Sequence, residues 1–425
     1  MRRIAALVLL VLAACVSPMA PKPTLDALAE RYVRLTLEID THDNGYVDSF
    51  YGPPEWKTEA AAHPRSVADL KTEADALANA FDAAATRARD PLIRRRAHFL
   101  AVNARAARFR LDMIGGAHAP FMEEAQKLFD LRPDLKPLSF YDPVLARIDA
   151  LVPGPGSLAD RVEAFRARYV IPPDRLERVI GAAIDECRAR TKAHLALPEN
   201  EHFSMELVNH QSWGAYNWYH GDNQSVIQIN TDLPVFVTSA LSLGCHEGYP
   251  GHHVQGITAE HLYRAQGWVE YSVQPLYAPR GPLDEGGANF GIELAFPGDQ
   301  RLAFEQSTLY PLAGLDPATA PAMNTLRLAM QDLAAAGLTI DQQYLDGQIT
   351  HDQAIALKQH YELMSRERAE HSLAFADHYR AYVINYVSGE DLVRAYVMRG
   401  ADEAARWRRY QNIWGEPTLP EDLAQ

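Results

Sequence analysis

The stretch GCHEGYPGHHVQ, residues 244–255, concentrates metal-binding side chains in a short span. His246 and Glu247 begin like the H-E-x-x-H zinc helix, but Pro250 stands where that motif has its second histidine. His252 and His253 follow. In an unbroken helix neither would share a metal with His246, because His252 lies about 240° round the axis and His253 about 10.5 Å along it.

Pro250 and Gly251 predict that the helix is broken. Proline lacks a backbone N–H and its ring crowds the preceding turn, while glycine adopts dihedrals closed to other residues. If the chain bulges by two residues over 248–251, His252 becomes the second ligand beside His246. A distortion of three residues would give that place to His253. We favour His252 and keep His253 as the alternative, with Zn²⁺ as the expected metal.

A third ligand is expected from another helix, since catalytic zinc has three protein ligands and one position for water. Glu285, in LDEGGANFGIELAF, lies 33 residues after His252. It heads a segment with Gly286, Gly287 and Gly291, whose small size favours close packing on the motif helix. Asp284, Glu270 and His261 are weaker candidates for this third ligand. Glu293 would lie outside the direct ligands or on the surface. Glu247 is the predicted general base, which accepts a proton from the attacking water and passes it to the leaving group.

These segments resemble a known family. HEGYPGHHVQ resembles the H-E-x-x-P-G-H-H-x-Q signature of the bacterial DUF885 family, which is grouped with zincin-like metallopeptidases. DEGGANFGIELAF is similar to the family's E-G-W-A-x-Y segment, and INYVSGEDLVRAYV to its S-Y-x-x-G-E stretch, in the same order along the chain. The resemblance implies a zinc metallopeptidase, supports Glu285 as a ligand and places Tyr386 and Gly389 on family positions. Gly287 and Asn289 depart from the bulky residues of the family segment.

Tyr386 is a second candidate catalytic residue, and four other residues are candidates for substrate binding. Tyr386 is predicted to donate a hydrogen bond to a developing oxyanion, the alternative being an aromatic residue that only packs. Arg380 and Arg394 would pair with a substrate carboxylate, or else lie on solvated helix faces. His220 and Asn230 flank a predicted edge strand and would bind a substrate backbone by strand addition.

The elements that must position these residues are mainly helical. Apolar residues recur three and four apart over 24–40, 66–90, 92–114, 158–170 and 173–195, and again from 323 to 399. SVIQIN, residues 225–230, alternates as in a strand of a small antiparallel sheet, and an apolar helix from residue 233 leads into the motif. We predict a mainly α, multi-helix zincin-like bundle with a small antiparallel β-sheet beside the active-site helix. Its single domain, 24–425, comprises helices (24–195), the strand and metal region (200–300) and C-terminal helices (301–400).

The N-terminus, MRRIAALVLLVLAACVSPMA, has two arginines and an apolar run, as in an export signal. LAAC, residues 12–15, resembles the bacterial lipobox, so 1–14 are the predicted signal peptide, Cys15 the lipidated residue and 15–23 a tether. A plain secretory signal is the alternative. Val16 favours the periplasmic side of the outer membrane, where the lipid anchor makes the membrane a partner.

Composition narrows the choice of partners. The 425 residues are 47% hydrophobic and carry a formal charge of −14, with no basic stripe, so no nucleic-acid partner is expected. Cys187 and Cys245 could form a disulfide in an oxidising compartment, or Cys245 could be a small buried residue.

The sequence therefore predicts a zinc-dependent hydrolase that acts on peptide or small amide substrates in the cell envelope. One alternative keeps the zinc but makes the protein a lyase or a hydrolase of other bonds. Another is a non-catalytic, metal-binding envelope lipoprotein, in which a fourth ligand such as Cys245 closes the zinc site.

Overall fold

The structure of the protein, a computed structural model, describes residues 23–211 and 213–424. The predicted signal peptide and Cys15 lie outside the described residues, as does most of the tether. Mainly α architecture with small sheets is confirmed.

Long helices form the N-terminal half, at the positions that the apolar periodicity predicts. Thr24, Ser66 and Asp90 cap α1, α3 and α4 by accepting hydrogen bonds from backbone N–H groups in the first turn. Arg105 and Arg108 of α4 bind carboxylates of α3, so these two helices run antiparallel. The helices are α1 (Leu25–Asp40), α2 (Pro54–Ala62), α3 (Val67–Arg87), α4 (Pro91–Ile114), α5 (Phe121–Phe129), α6 (Asp142–Leu151), α7 (Leu158–Arg166) and α8 (Leu176–Lys192).

Two small sheets lie beside the metal-binding segment. β1 (Val47–Phe50) pairs antiparallel with β5 (Val273–Pro275). The other sheet contains β2 (His202–Val208), β3 (Ala215–Gly221) and β4 (Gln224–Asn230), in the order β2-β4-β3. β3 and β4 form an antiparallel hairpin whose turn residues, Asp222 and Asn223, have positive φ angles of 52° and 60°.

β4 contains the predicted strand, but its position in the sheet differs from the prediction. It pairs with β3 on one side and, in parallel, with β2 on the other. Because both edges of β4 already bond to neighbouring strands, its prediction as an edge strand is wrong. The strands at the edges of this sheet are β2 and β3.

The motif segment consists of two helices joined by an extended turn. α9 (Ser239–Ser242) continues as a π-helix over Leu243–Gly248, and α10 (His252–Gln266) begins at the second histidine of the motif. Between them Tyr249 is extended and the Tyr249–Pro250 peptide bond is cis. The predicted break at Pro250 is confirmed, but the helix begins at Ser239, later than the sequence pattern predicts.

The remaining helices surround this segment. Gly286 of α11 and Gly389 of α18 bring the two backbones together so closely that a Cβ on either glycine would collide with the other helix. Of the three glycines of α11 expected to pack on the motif, Gly291 lies against Pro250, whereas Gly286 lies against α18. These helices are α11 (Gly281–Ala295), α12 (Gln300–Phe304), α13 (Tyr310–Ala313), α14 (Ala320–Gln331), α15 (Ala334–Leu345), α16 (His351–Tyr361), α17 (Arg366–Tyr379), α18 (Ile384–Val397), α19 (Glu403–Gly415) and α20 (Pro420–Ala424). Across the described ranges, no helix combines the length and apolar character needed to cross a membrane.

A disulfide joins Cys187 of α8 to Cys245 of the π-helix, with the two Cα atoms 5.4 Å apart. Both residues are fully buried, and Gly244 packs directly on the backbone of Ile184. The bond therefore fixes the residue next to His246 to a long helix.

Replacing both cysteines with alanine is expected to lower the free energy of unfolding by about 4 kcal/mol, because the bond closes a loop of 58 residues. Urea denaturation of the oxidised protein and of the double variant measures this difference. A loss below about 1 kcal/mol would contradict a stabilising role for the bond.

Candidate metal centre

His246, His252 and Glu285 converge on one point. Their ligand atoms all lie within 4.8 Å of one another. The Nε2 atoms of His246 and His252 are 3.1 Å apart. Glu285 Oε2 lies 3.4 Å from His246 Nε2 and 3.6 Å from His252 Nε2. The structure thus brings together the three residues that the sequence analysis favours as ligands.

The broken helix accounts for this convergence. The π-helix carries His246, and the turn after it folds back so that the N–H of Gly251 donates to the carbonyl of Cys245 at 3.0 Å. A Cβ at Gly251 would overlap the carbonyl of His246, so only glycine fits there. The next residue starts α10, and its imidazole meets the ring of His246 with the centroids 4.6 Å apart.

Side-chain amides hold the outer nitrogens of both imidazoles. His246 Nδ1 lies 2.9 Å from Asn289 Oδ1, and His252 Nδ1 lies 2.9 Å from Gln255 Oε1. Hydrogen bonds orient both amides: the NH₂ group of Asn289 donates to the carbonyl of Tyr386, and that of Gln255 donates to the carbonyl of Asp284. Because an amide oxygen only accepts, each Nδ1 carries the proton and each Nε2 lone pair points inward.

This donor set fits a cation. Two Nε2 lone pairs face each other, and the buried Glu285 Oε2 has no hydrogen-bond partner among the described residues. Burial alone would lower the pKa of His252, but the charge of Glu285 outweighs it and raises that pKa to about 10. The site thus favours a positive charge between these groups, either a proton on one Nε2 or a metal cation that replaces it. Burial would likewise raise the pKa of Glu285, yet the two imidazoles hold it well below its usual value. Two imidazoles and a carboxylate are ligands that Zn²⁺ takes in catalytic sites.

Glu247 lies beside the ligands. Its Oε1 is 4.0 Å from His246 Nε2, and its side chain is buried but lines the same cavity. Asn217 of β3 donates to the Glu247 carbonyl at 2.6 Å and so fixes this turn of the π-helix. Burial raises the pKa of Glu247, which makes its carboxylate a stronger base than one in water.

Two tyrosines from the C-terminal helices reach the centre. Tyr382 donates to Glu285 Oε1 at 2.7 Å, which leaves Oε2 directed at the imidazoles. Tyr386 lines the cavity next to it, with the ring centroids 5.9 Å apart. Burial and the charges of Glu285 and Glu247 raise the pKa of Tyr386 well above its usual value. Its phenol therefore stays protonated and can donate a hydrogen bond.

All these groups open into a cavity of about 730 Å³. Its walls come from the sheets, the motif helices, α11 and the face of α17 that bears Phe375 and Tyr379. Asp48 of β1 and Tyr216 of β3 are hydrogen-bonded to each other in its lining. The space is within the range of cavities that bind small molecules or short peptides.

His253, the alternative ligand, lies elsewhere. It is fully buried, with Nδ1 2.7 Å from Ser225 Oγ of β4 and Nε2 3.4 Å from Glu201 Oε2. As the second residue of α10 it points about 100° away from His252, toward the sheet. The structure thus contradicts its prediction as a ligand and gives it a place in the core.

The other candidate ligands are also engaged elsewhere. Glu270 forms a buried ion pair with Arg96 at 2.6 Å, and Asp284 binds Arg280 at 3.0 Å. His261 lines a separate, smaller cavity.

The two arginines predicted to bind a substrate carboxylate are paired within the protein. Arg380 binds Glu124 at 2.6 Å. Arg394 binds Glu293 and Glu390, both at 2.7 Å. Neither arginine lines the cavity, so the structure contradicts both predictions.

The two residues predicted to bind a substrate backbone differ in their position relative to the cavity. His220 is exposed on β3, an edge strand, but does not line the cavity. Asn230 does line it, and its amide donates to the carbonyls of Gln211 and Trp213, both at 3.0 Å. The structure thus does not place His220 at the cavity, whereas substrate binding by Asn230 stays a prediction.

Gln255, Asn289 and Tyr382 are site residues that the sequence analysis did not assign. Gln255 follows His252 by three residues on α10, a spacing that places both side chains on one helix face and so signals the contact. Asn289 is one turn after Glu285 on α11, which is the same kind of signal. Tyr382 precedes Tyr386 by four residues, but the sequence does not distinguish it from an aromatic residue that only packs.

No protein-family model and no curated protein matches this chain. A crystal structure of a "putative lipoprotein" from Colwellia psychrerythraea is similar, with a TM-score of 0.53 and 14% identity, covering 95% of this chain and 76% of that one. An M32 carboxypeptidase from Deinococcus radiodurans R1 has a TM-score of 0.48 and 13% identity, covering 94% and 92%. At these identities the likeness concerns the fold alone, and the resemblance to the DUF885 family stays a prediction.

Replacing Asn289 with alanine is expected to weaken zinc binding about 10- to 100-fold, because the His246 ring loses the acceptor that fixes its tautomer. Competition with a chromophoric chelator measures the affinity. Asn324→Ala is the matched control, since Asn324 binds Arg327 within α14, away from the cavity. Equal affinities in the two variants would contradict the role of Asn289.

Proposed function

We propose that the protein is a zinc-dependent hydrolase of peptide or amide bonds. The observation that carries the proposal is the position of Glu247: a buried carboxylate that adjoins two histidines and a glutamate of the right types for catalytic zinc, inside one cavity.

The residues of the site have three separate roles in the proposed reaction. His246, His252 and Glu285 would hold the zinc, which when bound supplies an electrophile that acidifies water and polarises a carbonyl oxygen. Glu247 takes the proton of the attacking water and returns it to the leaving nitrogen. The Tyr386 phenol donates a hydrogen bond to the carbonyl oxygen as negative charge develops there.

A catalytic role is favoured over a structural metal. In the part of the chain that the structure describes, the His, Cys, Asp and Glu cluster has three members. Cys245, the candidate for a fourth ligand, is bonded to Cys187 and has no free thiolate. Three protein ligands leave a position for water, as in catalytic zinc sites.

We also propose that the protein acts in the cell envelope, anchored through Cys15. The export signal and the lipobox-like LAAC support this placement. The Cys187–Cys245 disulfide supports it independently, since such bonds persist in oxidising compartments.

Metal analysis combined with cleavage of a peptide library tests the proposal on the mature protein. We expect about one zinc per chain. Cleavage should disappear after chelation and return when zinc is added. Zinc binding without cleavage of any peptide or amide would overturn the proposal, and products of an elimination would identify a lyase instead.

A further inference from the structure

Two arginines line the cavity at a distance from the metal ligands. Arg166 is the last residue of α7, and Arg368 lies in the first turn of α17. Their guanidinium groups lie 4.3 Å and 5.7 Å from the centroid of the Phe236 ring. We term the Arg166 and Arg368 guanidinium groups, which both lie near the Phe236 ring, the arginine pair.

The positive charge of the arginine pair is only partly balanced by the protein, because one carboxylate, Glu163, serves two guanidinium groups. Glu163 lies 4.0 Å from Arg368, which is beyond hydrogen-bond distance. Its charge also acts on Arg166, whose guanidinium forms no hydrogen bond with any described residue. His371, three residues after Arg368 on α17, lines the cavity too and adds no negative charge. Arg280, by contrast, lines the same cavity but pairs with Asp284.

The positions of the cavity-lining residues on α17 give the distance between the arginine pair and the metal ligands. Arg368, Ser372, Phe375 and Tyr379 line the cavity at helical spacing. Eleven residues separate Arg368 from Tyr379, or about 16 Å along the axis. Tyr379 stacks near Tyr382, with the ring centroids 5.7 Å apart, and Tyr382 binds the ligand Glu285.

The motif segment also separates the arginine pair from the metal ligands. Phe236 precedes His246 by ten residues, and Ser239, Ser242 and Leu243 between them line the same cavity. The helical part of this segment begins at Ser239, and its seven steps to His246 span at most roughly 10 Å along the axis. Two walls of the cavity therefore place the arginine pair away from the ligands, and α17 gives the distance.

We propose that the arginine pair binds a carboxylate of the substrate, so that the enzyme acts on oligopeptides with an anionic group well removed from the cleaved bond. This inference rests on the proposed function. An extended peptide rises about 3.3 Å per residue, so a gap of roughly 15 Å corresponds to four or five residues. Leu243, Phe375 and Trp213 also line the cavity and favour apolar residues in the bound peptide.

The carboxylate can come from the C-terminus of the peptide or from an Asp or Glu side chain. Both have the planar pair of oxygens that two guanidinium groups bind through charged hydrogen bonds.

Calorimetric titration of the Glu247→Gln protein with peptides tests the inference without catalysis. The metal is removed by chelation, so no carboxylate can bind to zinc. The probes are N-acetylated alanine–phenylalanine hexapeptides that end in a carboxylate, in an amide, or in an amide with glutamate as the last residue. We expect the carboxylate form to bind about tenfold or more tightly than the plain amide. Tight binding of the glutamate amide would identify a side chain as the natural source, and weak binding would identify the C-terminus.

Arg166→Met and Arg368→Met, each in the same background, should abolish this discrimination. Arg366→Met is the matched control, because Arg366 lies two residues away on α17, is exposed and pairs with Glu370. It should retain the discrimination in full. A series from three to eight residues should show the preference only from about four residues upward.

Equal affinity for the carboxylate and amide peptides, or a preference that survives in the Arg166→Met, Arg368→Met double variant, would overturn the inference. Failure of the proposed function is distinguishable, because it would abolish cleavage by the zinc-loaded parent and leave the arginine-dependent binding intact.

Discussion

The Glu247→Gln substitution is expected to reduce kcat by about 10²- to 10⁴-fold while the zinc content of the protein stays unchanged. The amide keeps the size of the carboxylate but cannot accept the proton of water. Because Glu247 Oε1 lies 4.0 Å from His246 Nε2 and is not one of the three clustered ligands, its loss should spare the metal.

Steady-state kinetics and metal analysis on the same preparations measure both effects. Glu293→Gln is the matched control, since this half-exposed carboxylate binds Arg394 and does not line the cavity. Activity of Glu247→Gln close to that of the parent would remove the proposed base. Loss of zinc from it would mean that Glu247 coordinates the metal.

Removal of the His252 imidazole should weaken zinc binding by more than roughly 100-fold, beyond the effect of losing an outer hydrogen-bond partner. His252 contributes one of three ligand atoms, and the remaining imidazole and carboxylate do not complete a zinc site. Activity should disappear with the metal.

Alanine substitution of the neighbouring histidine, His253, should spare zinc binding and lower stability instead. His253→Ala is expected to keep zinc but lose about 1–3 kcal/mol of stability, because Ser225 and Glu201 lose a buried polar partner. Zinc titration and urea denaturation of both variants distinguish the two effects. Loss of zinc from His253→Ala with zinc retained in His252→Ala would reverse the assignment.

Local chemistry made the ligand cluster predictable. A proline and a glycine between His246 and His252 must break the helix, and their own backbone limits determine where. The π-helix before the break was not predictable, because its form depends on Gly244 packing on α8 and on the bond from Cys245. Those contacts are tertiary and leave no periodic pattern in the sequence.

Long-range pairing explains the wrong predictions. Arg380 looks like an available cation in the sequence, yet its partner, Glu124, is 256 residues away. The parallel partner of β4 is likewise a separate strand, β2, so local alternation could not indicate a central position. The same limit applies to the arginine pair, whose members lie on α7 and α17 and meet only in the folded cavity.

The cross-link beside His246 also bears on when a newly made chain becomes active. Before its thiols are oxidised, the turn that carries this imidazole is held to α8 by packing alone. A chain still inside a reducing cytoplasm would therefore hold its ligands less firmly than the mature protein. For an exported peptidase of the kind proposed, such latency would spare cytoplasmic peptides before export.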